Sequence, residues 1–120
     1  MQFWMFAVGA ACVAVAILHG YLGHAKLIGP THFATPEAKG LVGAIWQFSA
    51  VAWAASGIVI AASPWIFDAE QRMASIALAC LPLAYGACAN AVITRGRHFG
   101  WKLLVMIIVG AIGGAALARA

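Results

Sequence analysis

Four long apolar runs separated by short polar segments dominate the chain. The runs cover residues 3–23, 37–62, 73–93 and 101–117, and each segment between them carries charges together with proline or glycine. A helix needs about 20 apolar residues to cross the hydrocarbon core of a bilayer. The pattern therefore predicts an all-α polytopic membrane protein, a four-transmembrane-helix bundle with short loops and a single domain over residues 1–120.

The polar segments also indicate where helices begin and end. Thr35-Pro36-Glu37 has the order of an N-cap, a first-turn proline and an acidic first turn, so the second helix is predicted to start near Pro36. Ser63-Pro64 combines a polar residue with a helix breaker. The second helix is therefore predicted to end just before Ser63.

Composition supports a membrane protein. Of the 120 residues, 65% are hydrophobic and 8% are charged, whereas a soluble domain has about 25% charged residues. The N-terminus lacks the basic segment of a cleaved signal peptide, so the first helix is expected to be retained. The three cysteines lie inside apolar runs without a Cys-x-x-Cys pair, and they are interpreted as packing residues.

The distribution of positive charge predicts an orientation. Two of the seven Lys and Arg residues, Arg72 and Arg119, lie on one side of the predicted bundle. The other five flank the first and third connectors: Lys26, Lys39, Arg95, Arg97 and Lys102. Because cytoplasmic loops carry the excess of positive charge, those connectors are predicted to be cytoplasmic and both termini periplasmic, in a bacterial inner membrane. No pattern of stacked aromatic and basic residues indicates nucleic-acid binding.

Small residues recur every three or four positions on three of the predicted helices. In lipid, helix association depends on close backbone approach, so such stripes are expected to be packing faces. The fourth helix adds the pair Gly110 and Gly114. The three stripes are Gly9, Cys12, Ala16, His19 and Gly23; Gly43, Gln47, Ala50, Ala54, Gly57 and Ala61; and Ala77, Cys80, Ala84, Ala87 and Ala91.

The second helix carries bulky residues away from its small stripe. Trp46, Trp53 and Ile60 follow one another at seven-residue spacing, which places them on one face. They are predicted to form an interaction surface that meets lipid or fills a groove on another subunit. Substitution of Trp53 is then expected to affect the isolated bundle little.

Three polar residues lie at membrane depth: His19, Gln47 and Asn90. They are predicted to lie close together, either hydrogen-bonded to one another as a structural cluster or lining a small cavity for a ligand. As cofactor-binding residues they fit a quinone, whose carbonyls accept hydrogen bonds from His and Gln, or a b-type haem, although such a haem usually takes two facing histidines. No metal site is predicted, since no two histidines are three or four residues apart.

The sequence lacks the residues that two other functional classes, proton-coupled transporters and enzymes, require. A proton-coupled multidrug transporter requires a carboxylate at membrane depth, but the only acids, Glu37, Asp68 and Glu70, lie in connectors. No serine, cysteine or lysine is paired with a base in a recognisable motif. The chain is therefore not expected to be an enzyme.

Several short motifs resemble an uncharacterised family of small bacterial four-helix integral membrane proteins with no known activity. The stretches are His19-Gly20-Tyr21-Leu22-Gly23-His24 with Leu27-Ile28-Gly29-Pro30, Trp46-Gln47-Phe48-Ser49 with Trp53, and Arg97-His98-Phe99-Gly100-Trp101. The family pattern has an acidic residue at His24, a histidine at Gln47 and a proline at Phe99. The resemblance implies the four-helix fold and carries no function.

Two functional hypotheses follow. The first is a non-catalytic interaction protein, either an accessory subunit of a larger membrane complex or a self-associating bundle. The alternative is a redox accessory that binds quinone or haem near His19, Gln47 and Asn90. A visible absorption spectrum of the purified protein distinguishes a haem protein from the rest.

Overall fold

The computed structural model describes residues 1–117 as an all-helical bundle, which confirms the predicted fold class. The helices are α1 (Gln2–Leu22), α2 (Pro36–Ile66), α3 (Ala69–Ile93) and α4 (Gly100–Leu117). All four are long and apolar enough to cross a membrane. α1 packs against α2 and α4, and α3 packs against the same two helices, so each helix has two neighbours in a bundle of 54 × 27 × 19 Å.

Two side chains set the start of α2 and α3. Thr35 caps α2 by accepting a hydrogen bond from the backbone N–H of Ala38 at 3.1 Å, which confirms the predicted cap. The Asp68 carboxylate accepts from the backbone N–H of Glu70 and of Gln71 at 3.0 and 2.9 Å. This cap starts α3 at Ala69, four residues before the predicted start, so Phe67 and Asp68 alone join α2 to α3.

α2 does not end at Ser63-Pro64 as predicted but continues to Ile66. A proline cannot donate to the carbonyl four residues earlier, which here belongs to Ile60. The Ser63 hydroxyl donates to that carbonyl at 2.9 Å and so replaces the missing bond. Beyond the proline, the buried Arg72 guanidinium donates to the carbonyls of Ser63 and Phe67, at 3.4 and 2.9 Å, and satisfies the end of the helix.

The first helix also extends past its predicted end. After Leu22 the chain forms a six-residue π-helical turn, Gly23–Ile28. At Gly23 the indole of Trp46 occupies the space that a Cβ atom would take. Glycine is required there because α1 and α2 approach closely at this end of the bundle.

The predicted packing face is confirmed on α1 and, on α2, for the part of the stripe from Ala50 to Ala61. At the start of the α2 stripe, Gly43 has no atom within 4 Å of the position of a Cβ atom, and Gln47 is exposed. A Cβ atom on Gly9 would collide with the Gly57 carbonyl oxygen and lie 2.6 Å from the Ala61 Cβ atom. One on Gly57 would lie 2.7 Å from the Gly9 carbonyl oxygen. In the third stripe, Ala77 is exposed, while the buried face of α3 is formed by Arg72, Ile76, Cys80, Leu83 and Ala87.

The predicted outward orientation of Trp46, Trp53 and Ile60 is wrong. Trp53 is 7% exposed and Ile60 is fully buried, and both belong to the bundle, while Trp46 is half-buried against α1. α2 lies between two neighbours, and its small face packs on α1. Its bulky face contacts His19 of α1 through Trp46 and Trp53, and Trp53 also reaches α3. The hydrophobic core joins all four helices through Met5, Cys12, Ala16, Trp53, Ile60, Ile76, Cys80, Leu83, Ala87, Leu104, Ile107, Ala111 and Ala115.

Candidate functional site

His19 is held between two tryptophan rings near one end of the bundle. Its imidazole stacks on the indole of Trp46, with ring centroids 4.4 Å apart and planes inclined by 19°. The indole of Trp53 lies at 4.1 Å and 35°. Two indoles this close to one imidazole would collide if they shared a face, so they lie on its opposite faces. The histidine is half-buried, and both of its ring faces are covered by aromatic surface.

Both tryptophans are fixed by hydrogen bonds to neighbouring backbone. Trp46 Nε1 donates to the carbonyl oxygen of His19 itself at 3.0 Å. Trp53 Nε1 donates to the carbonyl oxygen of Pro82 on α3 at 3.2 Å. A Cβ atom on Gly86 would collide with the Trp53 ring, so a glycine of α3 provides the space for that indole.

The hydrogen bonds of Ser49 determine the tautomer of neutral His19. Ser49 Oγ lies 2.6 Å from the carbonyl oxygen of Trp46, and two oxygens approach so closely only with a hydrogen between them. A carbonyl has no hydrogen, so the serine donates its single proton there. Since Ser49 Oγ also lies 3.0 Å from His19 Nε2, it must accept from that nitrogen. Neutral His19 therefore carries its proton on Nε2, and Nδ1 has the free lone pair.

Gln47 does not share these contacts. Its amide nitrogen donates to the carbonyl oxygen of Gly20 at 3.1 Å, and the side chain is exposed. It lines the outside of the α1–α2 contact, beside Tyr21 and His24. His19 and Gln47 thus bond to different partners on adjacent sides of the same helix pair.

Asn90 lies at the same end of the bundle, on α3. Its side-chain oxygen Oδ1 is buried and has no hydrogen-bond partner within residues 1–117. The start of α4 lies beside this side chain, since a Cβ atom on Gly100 would lie 3.5 Å from Asn90 Nδ2. In the described part of the chain no hydrogen bond joins Asn90 to His19 or Gln47, so the three predicted site residues do not form one hydrogen-bonded group.

A furrow between α1 and α2 runs along the outside of the bundle, and we call it the outer groove. It consists of two successive stretches. One has a volume of about 470 Å³ and lies at the end marked by Phe6 and Trp65, and the other has a volume of about 430 Å³ and lies at the end marked by His24 and Gln47. The distance from Phe6 to His24 along α1 is about 27 Å at 1.5 Å per residue, close to the ~30 Å of a hydrocarbon core. Its lining is apolar except at the end marked by Tyr21, His24 and Gln47.

Ser49 is the contact of His19 that the sequence patterns did not identify. Trp46, Ser49 and Trp53 are spaced by three and four residues, so they share one face of α2. That spacing is the signal that would have paired the serine with His19. Within residues 1–117 no three His, Cys, Asp or Glu side chains converge as a set of metal ligands.

Comparison with known proteins identified no relative of this chain. No family model, curated protein or solved structure matches the chain.

Proposed function

We propose that this chain is a non-catalytic accessory subunit of a membrane complex, and that the outer groove binds a membrane-spanning helix of the partner. Gln47 carries the proposal. Its amide nitrogen uses one hydrogen on Gly20, and its second N–H and its carbonyl oxygen have no partner in the described residues. An unsatisfied polar group facing hydrocarbon is costly, which favours a partner helix that supplies a hydrogen bond.

The shape of the groove supports a helix as occupant. The floor is built from the small residues of the α1–α2 contact, including Ala16, Gly20, Ala50 and Ala54. Small residues allow the close backbone approach on which helix association in lipid depends. The apolar length of the groove matches one crossing of the bilayer, and Gln47 provides a polar contact at one depth only.

Site-specific photo-cross-linking in native membranes tests the groove. A photoreactive amino acid at Val51, which lines the groove and is 66% exposed, is expected to form a protein adduct. The matched control is Leu78 on α3, which is equally exposed, at 67%, but lies outside the groove. A hydrogen bond between membrane helices is worth about 0.6 to 2 kcal/mol, so Gln47→Leu should lower the Val51 adduct about 3- to 30-fold.

A second control distinguishes the loss of the Gln47 amide from the general effect of changing a lipid-exposed side chain. Phe48 is the neighbouring lipid-exposed residue, and Phe48→Leu should leave the Val51 adduct unchanged. Equal protein adducts from Val51 and Leu78, or adducts from Val51 with lipid alone, would refute a helix in the groove.

We further propose that the chain lies in a bacterial inner membrane with both termini periplasmic. Lys26, Lys39 and Lys102 lie at the same end of the bundle as the α3–α4 connector, which carries Arg95 and Arg97. At the opposite end, Arg72 is buried on α3, and Arg119 lies outside the described residues.

Reporter fusions test this orientation. Fusions at His32 and at Gly96 should report the cytoplasm, because both lie in the positively charged connectors. A fusion at Asp68, in the short α2–α3 connector, should report the periplasm. The opposite pattern would reverse the orientation of the bundle.

A further inference from the structure

We propose that His19 is a proton-binding site, in which Nδ1 takes up a proton and the resulting imidazolium is held between the indole rings of Trp46 and Trp53. This site is separate from the outer groove. His19 faces Trp46, Ser49 and Trp53 of α2. The outer groove is lined by Gly20 and Gln47, on the other side of the α1–α2 contact. The proposal therefore does not depend on the accessory function.

The hydrogen bonds allow protonation without rearrangement. In neutral His19, Nε2–H donates to Ser49 Oγ, and no group within residues 1–117 donates to the lone pair on Nδ1. A proton delivered from water forms one new N–H bond at Nδ1 and converts imidazole to imidazolium. The existing bond to Ser49 is kept and becomes charge-assisted, which roughly doubles the strength of such a bond.

The two indole faces offset part of the cost of placing a charge at this half-buried position. A cation within about 6 Å of an indole centroid is attracted by the negative face of the ring, and the attraction is larger in a site shielded from water. Here the rings lie at 4.4 and 4.1 Å on opposite faces of the imidazole.

Among residues 1–117, one other titratable group acts on His19. The α2 residues in contact with it are uncharged. From the α3–α4 connector, the exposed His98 acts on His19 through space, and a proton on His98 would repel a proton on His19. The site thus lies toward the end of the bundle at which the connectors carry exposed histidines. Asn90 adds a buried oxygen without a donor at this end.

Tryptophan fluorescence follows the protonation because imidazolium quenches an adjacent indole, whereas neutral imidazole quenches it weakly. Two of the five tryptophans flank His19, so on acidification total fluorescence should fall by less than half. The fall should be absent in His19→Gln and present in His24→Gln and His98→Gln. Nitrogen NMR of labelled histidine should show the Nε2–H tautomer at high pH and a second N–H at low pH.

Variants that leave His19 in place provide an independent test. Trp46→Phe and Trp53→Phe should each keep part of the quenching, and the double variant should abolish it while NMR still shows His19 taking up a proton. His19 remaining neutral from about pH 9 to pH 4, the range over which histidines ordinarily titrate, would overturn the proposal. Full quenching in a folded His19→Gln protein would overturn it equally.

Discussion

Gly9→Leu is expected to separate α1 from α2 and to lower the free energy of unfolding by about 3 kcal/mol, the upper part of the range for overpacking. The site has no space for a side chain, since even a Cβ atom would collide with the Gly57 carbonyl oxygen and lie 2.6 Å from the Ala61 Cβ atom. Both obstacles belong to a neighbouring helix whose backbone must move. Unfolding in mixed micelles with increasing sodium dodecyl sulfate measures the loss.

Gly113→Leu is the matched control for Gly9→Leu. Gly113 lies within α4, is exposed, and has no atom within 4 Å of the position that a Cβ atom would take. The same added side chain should there change stability by less than 0.5 kcal/mol, as is usual for surface substitutions. If both variants unfold alike, the close approach of α1 and α2 at Gly9 and Gly57 is not present in the folded protein.

The fold could be predicted because hydropathy alone determines it. Four apolar runs of sufficient length permit few arrangements other than four spanning helices, since in lipid every backbone polar group must be satisfied within the segment. Helix ends were less predictable because they depend on single contacts. Ser63 replaces the bond that Pro64 cannot make, so the helix continues through a residue pair that usually ends one.

The candidate site was predictable in part. His19 was identified from its polarity and depth, and these properties require no knowledge of its neighbours. Its partners on α2 could not be identified in this way, because seven-residue spacing shows that Trp46 and Trp53 share a face but not which neighbour that face meets. Because the small stripe of α2 was predicted to face the interior, its tryptophans were predicted to face outward. A helix with two neighbours buries two faces, so the tryptophans are buried as well.

Trp53→Leu is expected to be among the most destabilising substitutions in the bundle, in contrast to the small effect that an outward orientation implied. The indole packs against His19 and donates to the carbonyl oxygen of Pro82 on α3. Leucine fills part of the ring volume and makes no hydrogen bond, so the variant keeps a cavity beside Gly86 and leaves one face of His19 uncovered.

The cost of Trp53→Leu should be about 2 to 4 kcal/mol, somewhat below the 3 to 5 kcal/mol of a buried tryptophan replaced by alanine. Trp65→Leu is the control in the same helix, because Trp65 is 58% exposed and should tolerate the change within about 0.5 kcal/mol. Unfolding of both variants in the same mixed-micelle titration compares them directly. Equal stability of the two would mean that Trp53 faces lipid after all, and His19 would then lack one of the two rings that enclose it.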